Sequence, residues 1–332
     1  MGDVAMVVPL LRIFVSQNQE VKVTVVSKPF FKPFFEEIKN VSFFAVDVKN
    51  RHKGFLGLLQ LFWDLKKLKI DAVADLHNVL RSKIIRNLFA LYGKKIAFTD
   101  KGRTEKKALT RSKNKIFKPL KSMFERHANT FEQLGFRVDL SNPKFPENAV
   151  LSKEILNITG PKETLKWIGI APFAQYQSKI YPLDLMQMVI DALVQNENYK
   201  IFLFGGTNEI ETLNRLGKNH ENVVVIAGTL SFKEEMHLIS NLDVMLSMDS
   251  GNAHLAALFG IRTITLWGAT HPFAGFSPFN QPIANALVSD RHQYPLLPTS
   301  VYGNKKVVGY EDAMRTILVD DVVAKIEKDL HQ

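Results

Sequence analysis

Short apolar runs rich in β-branched residues alternate along this chain with stretches whose apolar residues recur every three or four positions, and the whole alternation occurs twice. The first series predicts strands at residues 21–26 (VKVTVV), 41–46 (VSFFAV), 71–76 (DAVADL) and 94–98 (KKIAF). Helices are expected at 30–38, 55–68, 79–92 and 123–134, the last closed by Gly135 as a C-cap. The second series predicts LKWIGIA, YKIFLF, NVVVI, LDVML and RTITLW as strands, with helices at 183–194, 208–217, 232–240, 251–259 and, finally, 319–330. Such alternation is the signature of βαβ units around a mostly parallel sheet. Residues 139–162 are polar and carry Pro143, Pro146, Gly160 and Pro161, as a linker does. The chain therefore divides into domains 1–155 and 156–332, the second ending in the terminal helix. The expected fold class is α/β, with two Rossmann-like, doubly wound domains facing one another across a cleft.

The start of the chain departs from this pattern. Gly2-Asp3 belongs at the end of a doubly wound domain's first, central strand, and no strand precedes it. The natural protein is expected to begin upstream of Met1.

Length and composition narrow the class. With 332 residues, 46% of them hydrophobic and 23% charged, the chain can build two cores. No apolar run approaches the roughly 18 residues of a membrane helix. The longest, 4–11, meets Arg12 and is preceded by Asp3, which suits neither a span nor a secretory signal. The absence of cysteine excludes disulfides, thiolate nucleophiles and Cys-ligated zinc, and makes the cytoplasm the default compartment.

Charge is unevenly spread. Residues 1–150 hold 28 Lys and Arg against 14 Asp and Glu, whereas 151–332 hold 15 against 19. The first half is expected to face a polyanion or an anionic membrane surface. From Lys101 to Lys121 nine basic residues face one acid, Glu105, with little apolar periodicity, which predicts a long basic loop. That loop shows no helix-turn-helix or RNP pattern and one aromatic residue, Phe117, so no nucleic acid is expected as partner.

In open α/β sheets, ligands bind beyond the carboxyl ends of the strands, often on helix N-termini, which directs attention to the strand-to-helix junctions. The strongest is MDSGNAHLAALFG (248–260): backbone N–H groups of Ser250, Gly251 and Asn252 can cradle a phosphate there, although Asp249 or Ser250 could equally be a helix cap. Asp249, Ser250 and His254 crowd one helical turn without a G-x-S-x-G elbow, which argues against a hydrolase triad. LFGGTNE (203–209) ends another strand with two glycines and Thr207, and Glu209 opens the next helix. IAPFAQYQSKIYP (170–182) sets Lys179 where it can give a phosphate a point charge. Asp3, before a helix start, is either a cap or a general base. No H-E-x-x-H and no D-x-D pattern is present, so no metal site is expected.

Together, GDVAMVVPLL, the APF…K..YP stretch, LFGGTNE and AGTLSFKEEMHLISNLDVMLSMDSGNAHLAALFGIRTITLWGATHP resemble glycosyltransferase family 9, the heptosyltransferases of the lipopolysaccharide inner core. The resemblance covers nearly the whole chain and implies the GT-B architecture, with an acceptor domain followed by a donor domain. It implies an inverting, metal-independent transferase that uses ADP-heptose as donor substrate, needs no cofactor, and acts on an anionic lipid A/Kdo acceptor at the cytoplasmic face of the inner membrane. By the same resemblance Asp3 is the general base. Lys179 neutralises the donor diphosphate, Thr207 and Glu209 lie by the nucleotide, Asp249 meets the donor sugar, and Ser250, Gly251 and His254 surround the diphosphate. Lys106, Lys107, Arg111 and Lys113 of the basic loop are the expected acceptor contacts. Relatives carry cysteines near the C-terminus where this chain has LPTSVYGNKKVVGYEDAMRTI. Two other readings compete: a GT-B transferase or epimerase with another nucleotide sugar, and a non-catalytic polyanion-binding protein.

Overall fold

The computed structural model describes residues 1–218 and 220–331. They form two compact units: Met1, 3–103 and 121–144 make the first, and Gly2, 104–120 and the described residues from 145 onward the second.

The first unit opens with α1 (Gly2–Ala5) and α2 (Val7–Gln17), so the apolar run at 4–11 is helical. Seven of the eight residues 8–15 of α2 are buried, the mark of a helix surrounded by core rather than lying on a surface. Phe14 stacks on Phe131 at 4.3 Å between ring centres and meets Phe136 edge-on. β1 (Val23–Ser27) follows and pairs in parallel with β2 (Val41–Ala45), Val23 opposite Val41. The expected helix at 30–38 is instead a 3₁₀ segment, Pro29–Phe34. Its apolar spacing is helical, but Pro33 lacks the N–H that an α-helical interior needs. Next come α3 (Gly54–Lys66), β3 (Ala72–Asp75), α4 (Leu80–Leu91) and β4 (Lys95–Phe98), and β3 pairs in parallel with β4. Among the described residues no ladder joins the β1-β2 pair to the β3-β4 pair.

The basic segment is not a loop throughout. It contains α5 (Arg103–Thr110), and residues 104–120 pack into the second unit. Leu120 donates its N–H to the Phe273 carbonyl, Lys115 donates to the Pro298 carbonyl, and the Lys106 ammonium lies 4.0 Å from the Phe276 ring centre. After it, α6 (Met123–Glu132) returns to the first unit, capped by a reciprocal Ser122–Glu125 box.

The second unit takes up the chain at Phe145, earlier than the expected break at 155/156. Phe145 packs on Phe279, and Ala149 exchanges hydrogen bonds with Ser240 and Asn241, which ties this polar stretch to the second core. The expected linker also holds α7 (Lys153–Thr159). The elements that follow are β5 (Lys166–Ala171), α8 (Leu183–Leu193), β6 (Tyr199–Leu203), α9 (Ile210–Leu216), β7 (Val223–Val225), α10 (Phe232–Ile239) and β8 (Val244–Met248). Then come α11 (Gly251–Ala257), β9 (Arg262–Trp267), β10 (Ala286–Val288) and α12 (Val319–Leu330).

All six strands run parallel in the order β10-β9-β8-β5-β6-β7. Being covered by helices, they carry continuous apolar runs, and every residue of β8 is buried. Ile168, Ile170, Leu203, Leu246 and Ile264 meet Val189, Ile190, Val322 and Ile326 from α8 and α12 in one core. Each such side chain contributes about 1.5–3 kcal/mol on burial. Strand order reverses between β5 and β8, and this is the switch point where a parallel sheet leaves a crevice at its carboxyl edge. Among the described residues no helix is long and apolar enough to cross a membrane.

Candidate functional site

The carboxyl ends of β9, β8, β5 and β6 are neighbours in the sheet, and every donor residue expected from the sequence follows one of the last three of these strands. Lys179 closes a 3₁₀ turn, Gln177–Lys179, after β5, and Asp249 directly follows β8. Their charged atoms stand 3.0 Å apart, and both side chains are nearly buried. Asp249 also accepts a hydrogen bond from the Thr270 hydroxyl at 2.8 Å, and Thr270 belongs to the loop after β9. Three strand ends thus converge on one carboxylate.

Ser250 is the N-cap residue of α11, in extended conformation, yet its hydroxyl makes no capping bond and lies 3.1 Å from that of Ser247. The first-turn N–H groups at Gly251 are therefore not capped by that side chain, which suits them to an external anion. His254 is buried one turn into α11.

Thr207 and Glu209 form a 3₁₀ turn after β6. The Glu209 carboxylate folds back to accept the Gly206 N–H at 2.6 Å, so one of its oxygens is committed to holding the glycine turn. A Cβ on Gly205 or Gly206 would stand 2.8 Å from the Glu209 or Asn208 side-chain oxygen, so a larger residue at either position would displace those side chains.

Lys179 is held by residues to which the sequence reading gave no role. Gly268 lets the 177–179 turn approach, since a Cβ there would lie 2.4 Å from the Ser178 carbonyl oxygen. The Lys179 stem runs against Gly303, which adopts φ 84°. Ser178 donates to the Gly303 carbonyl, and the N–H groups of Thr299 and Ser300 both donate to the Ala269 carbonyl. The cysteine-free C-terminal stretch is thus the wall behind Lys179. Gly268 and Thr270 lie within the GATHP sequence after β9, but a small residue and a hydroxyl at a strand end carry no individual signal.

In the first unit Asp3 is exposed on α1. Its charge acts on His77 and Lys101, two side chains beyond the ends of β3 and β4 that the sequence reading passed over. Burial lowers the pKa of both, and Asp3 and Asp75 oppose that shift. Asp75 itself pairs with Arg86 at 2.9 Å.

The expected acceptor contacts separate. Lys107, Arg111 and Lys113 are exposed, whereas Lys106 is buried beneath Phe276, and all four lie in the second unit rather than the first. The buried ammonium over an aromatic face is a packing contact of the kind that cation–π attraction supports.

A lysine–aspartate pair beside a helix start that its cap side chain leaves free, at the switch point of a parallel sheet, defines an α/β protein with a ligand crevice at the sheet's carboxyl edge. Residues 58–305 match the profile of glycosyltransferase family 9 (heptosyltransferase), and the chain belongs to that family. Over 242 residues it is 24% identical to lipopolysaccharide heptosyltransferase 1 of Campylobacter coli, covering 68% of this chain and 69% of that protein. The glycosyltransferase family 9 structure from Veillonella parvula superposes with a TM-score of 0.75 at 19% identity, covering 99% of this chain and 94% of the other. Escherichia coli heptosyltransferase WaaC with ADP superposes at 0.67 and 18% identity, covering 99% and 96%. At these identities the superpositions show the shared GT-B fold.

Proposed function

We propose that the protein transfers heptose from ADP-heptose to a hydroxyl of the phosphorylated, Kdo-containing lipid A core, with inversion and without a metal cofactor. The observation that carries this reading is the Lys179–Asp249 pair at the switch point, beside the open start of α11. It is supported by family membership and by the fold shared with a relative solved with ADP.

Asp3 takes the proton of the acceptor hydroxyl as its oxygen attacks the anomeric carbon. The carbon–oxygen bond to the diphosphate breaks, and ADP leaves with the electron pair. Negative charge grows on the departing phosphate, where Lys179 and the N–H groups at Gly251 stabilise it. Asp249 orients the sugar hydroxyls, and Glu209 and Thr207 bound the nucleotide. The role a divalent ion plays in other sugar-diphosphate chemistry falls to Lys179, in keeping with the lack of a D-x-D pattern. The exposed cations Lys107, Arg111 and Lys113 meet the anionic acceptor and the inner face of the cytoplasmic membrane, where each is worth about 1 kcal/mol.

The test is mass spectrometry of Kdo-lipid A after incubation with ADP-heptose, for the wild type and Asp3→Asn. A single added heptose with wild type, and none with Asp3→Asn although ADP still binds, is the expected result. ADP binding with no transfer by the wild type would overturn the donor or acceptor assignment.

A further inference from the structure

Beside the donor residues, in the second unit, two nitrogen side chains meet one ring and a third lies next to them. The Arg291 guanidinium lies 3.5 Å from the Phe117 ring centre, and the His271 ring meets the same Phe117 edge-on at 5.0 Å. Arg291 donates from Nε to the Leu297 carbonyl at 2.9 Å. Lys115 donates from Nζ to the next carbonyl, Pro298, at 2.7 Å, and to Leu109 at 3.0 Å. Consecutive carbonyls thus hold the ammonium and the guanidinium as neighbours.

What these groups present is donors alone. Nδ1 of His271 accepts the Phe273 N–H at 3.1 Å, so the proton of the neutral ring sits on Nε2. Lys115 has a third N–H beyond the two it has spent, and the two Nη groups of Arg291 make no hydrogen bond among the described residues. None of the three forms an ion pair with a carboxylate among those residues. The charges felt are all of one sign: burial and Arg291 lower Lys115 to about 8, and burial, Arg291 and Lys115 lower His271 to about 4. Like charges set together in a partly buried place cost stability, and an anion relieves that cost.

His271 directly follows Thr270, whose hydroxyl holds Asp249, so this cluster adjoins the Lys179–Asp249 pair. We propose that Lys115, Arg291 and His271 form a second anion site that binds a phosphate group of a substrate, a planar guanidinium fork being suited to such oxygens. Assigning its source rests on the transferase reading. The phosphate comes either from the anionic acceptor or from the donor nucleotide.

The experiment follows the His271 ring by NMR while inorganic phosphate is added to the whole protein, for wild type, Arg291→Gln and Arg291→Lys, with thermal unfolding as the check on folding. Saturable shifts and a rise of the ring pKa are expected in the wild type. Arg291→Gln should weaken phosphate about tenfold or more, and Arg291→Lys by less. No saturable shift in the wild type overturns the site, as does equal phosphate affinity in a folded Arg291→Gln protein. If the glutamine variant does not fold, the wild-type titration and the lysine variant decide. ADP that displaces the phosphate assigns the site to the donor. Phosphate that binds alongside ADP, with Arg291→Gln raising the acceptor KM and leaving the donor KM unchanged, assigns it to the acceptor. The phosphate titration needs no sugar transfer, so it still reads if the transferase proposal fails.

Discussion

Lys179 and Asp249 stand 3.0 Å apart across the point at which the strand order of the second unit reverses. They come from turns after β5 and β8, strands distant in the chain but hydrogen-bonded neighbours in the sheet. The lysine's charge is held by the aspartate. Under the proposed function a donor diphosphate competes for that lysine, and binding exchanges one ion pair for another.

Removing one partner leaves the other charge nearly buried and alone. Lys179→Met should cost roughly 3 kcal/mol of stability in urea unfolding, because a broken buried pair leaves an uncompensated ion. The double variant Lys179→Met/Asp249→Asn should recover a good part of that loss, while ADP affinity stays weakened in both. Strictly additive losses would show that the two residues are not coupled in the free protein.

Gly268 sets the position of the same lysine. A methyl group there would stand 2.4 Å from the Ser178 carbonyl oxygen, a backbone atom with little room to yield. Gly268→Ala should lower stability by about 1–3 kcal/mol and weaken ADP binding by displacing the 177–179 turn. Gly93→Ala is the control: Gly93, unlike Gly268, adopts positive φ, but its added methyl meets nothing within 4 Å. It should lose stability through backbone strain alone and bind ADP as the wild type does, as calorimetric titration of the two variants would show.

The basic segment should respond in two different ways. Lys107→Gln, Arg111→Gln and Lys113→Gln remove exposed charges and should each change stability by about 0.5 kcal/mol or less. Combined, they should raise the acceptor KM in the transfer assay and leave ADP affinity unchanged. Lys106→Gln places an amide in the buried position beneath Phe276 and should lower the unfolding midpoint by itself. A triple variant with unaltered acceptor KM would remove these cations from the acceptor site.

The sequence made most of this architecture legible because hydrophobic period follows burial. The terminal helix was expected at 319–330 and is Val319–Leu330, and all five strands predicted in the second half are present. The helix at Arg103–Thr110 was not legible, since Ala108 and Leu109 are its only apolar residues and its anchorage, Lys106 over Phe276, lies far downstream. The edge strand Ala286–Val288 was missed because three residues show no period. Asp249, Ser250 and Gly251 were legible as a strand-to-helix junction. Their link to Lys179 and Thr270 was not, because only the strand order brings those turns together. His77 and Lys101 likewise gain their place near Asp3 from the ends of two different strands.

Glu235 offers a test of the second unit's core through pH. It lies in the first turn of α10, where the helix dipole favours a charged carboxylate, yet burial dominates and raises its pKa from 4.5 to about 7. The folded protein keeps this proton up to about pH 7, whereas the unfolded chain releases it near 4.5. Between those values the folded state binds more protons. Glu235 therefore stabilises the fold fully below the unfolded value, and that contribution is lost as pH rises through the window. Glu235→Gln, which stays neutral throughout, should gain in unfolding midpoint relative to wild type between about pH 5 and about pH 7 and hold a constant advantage above. Parallel profiles for the two proteins would mean that the Glu235 carboxylate is solvated in the native state.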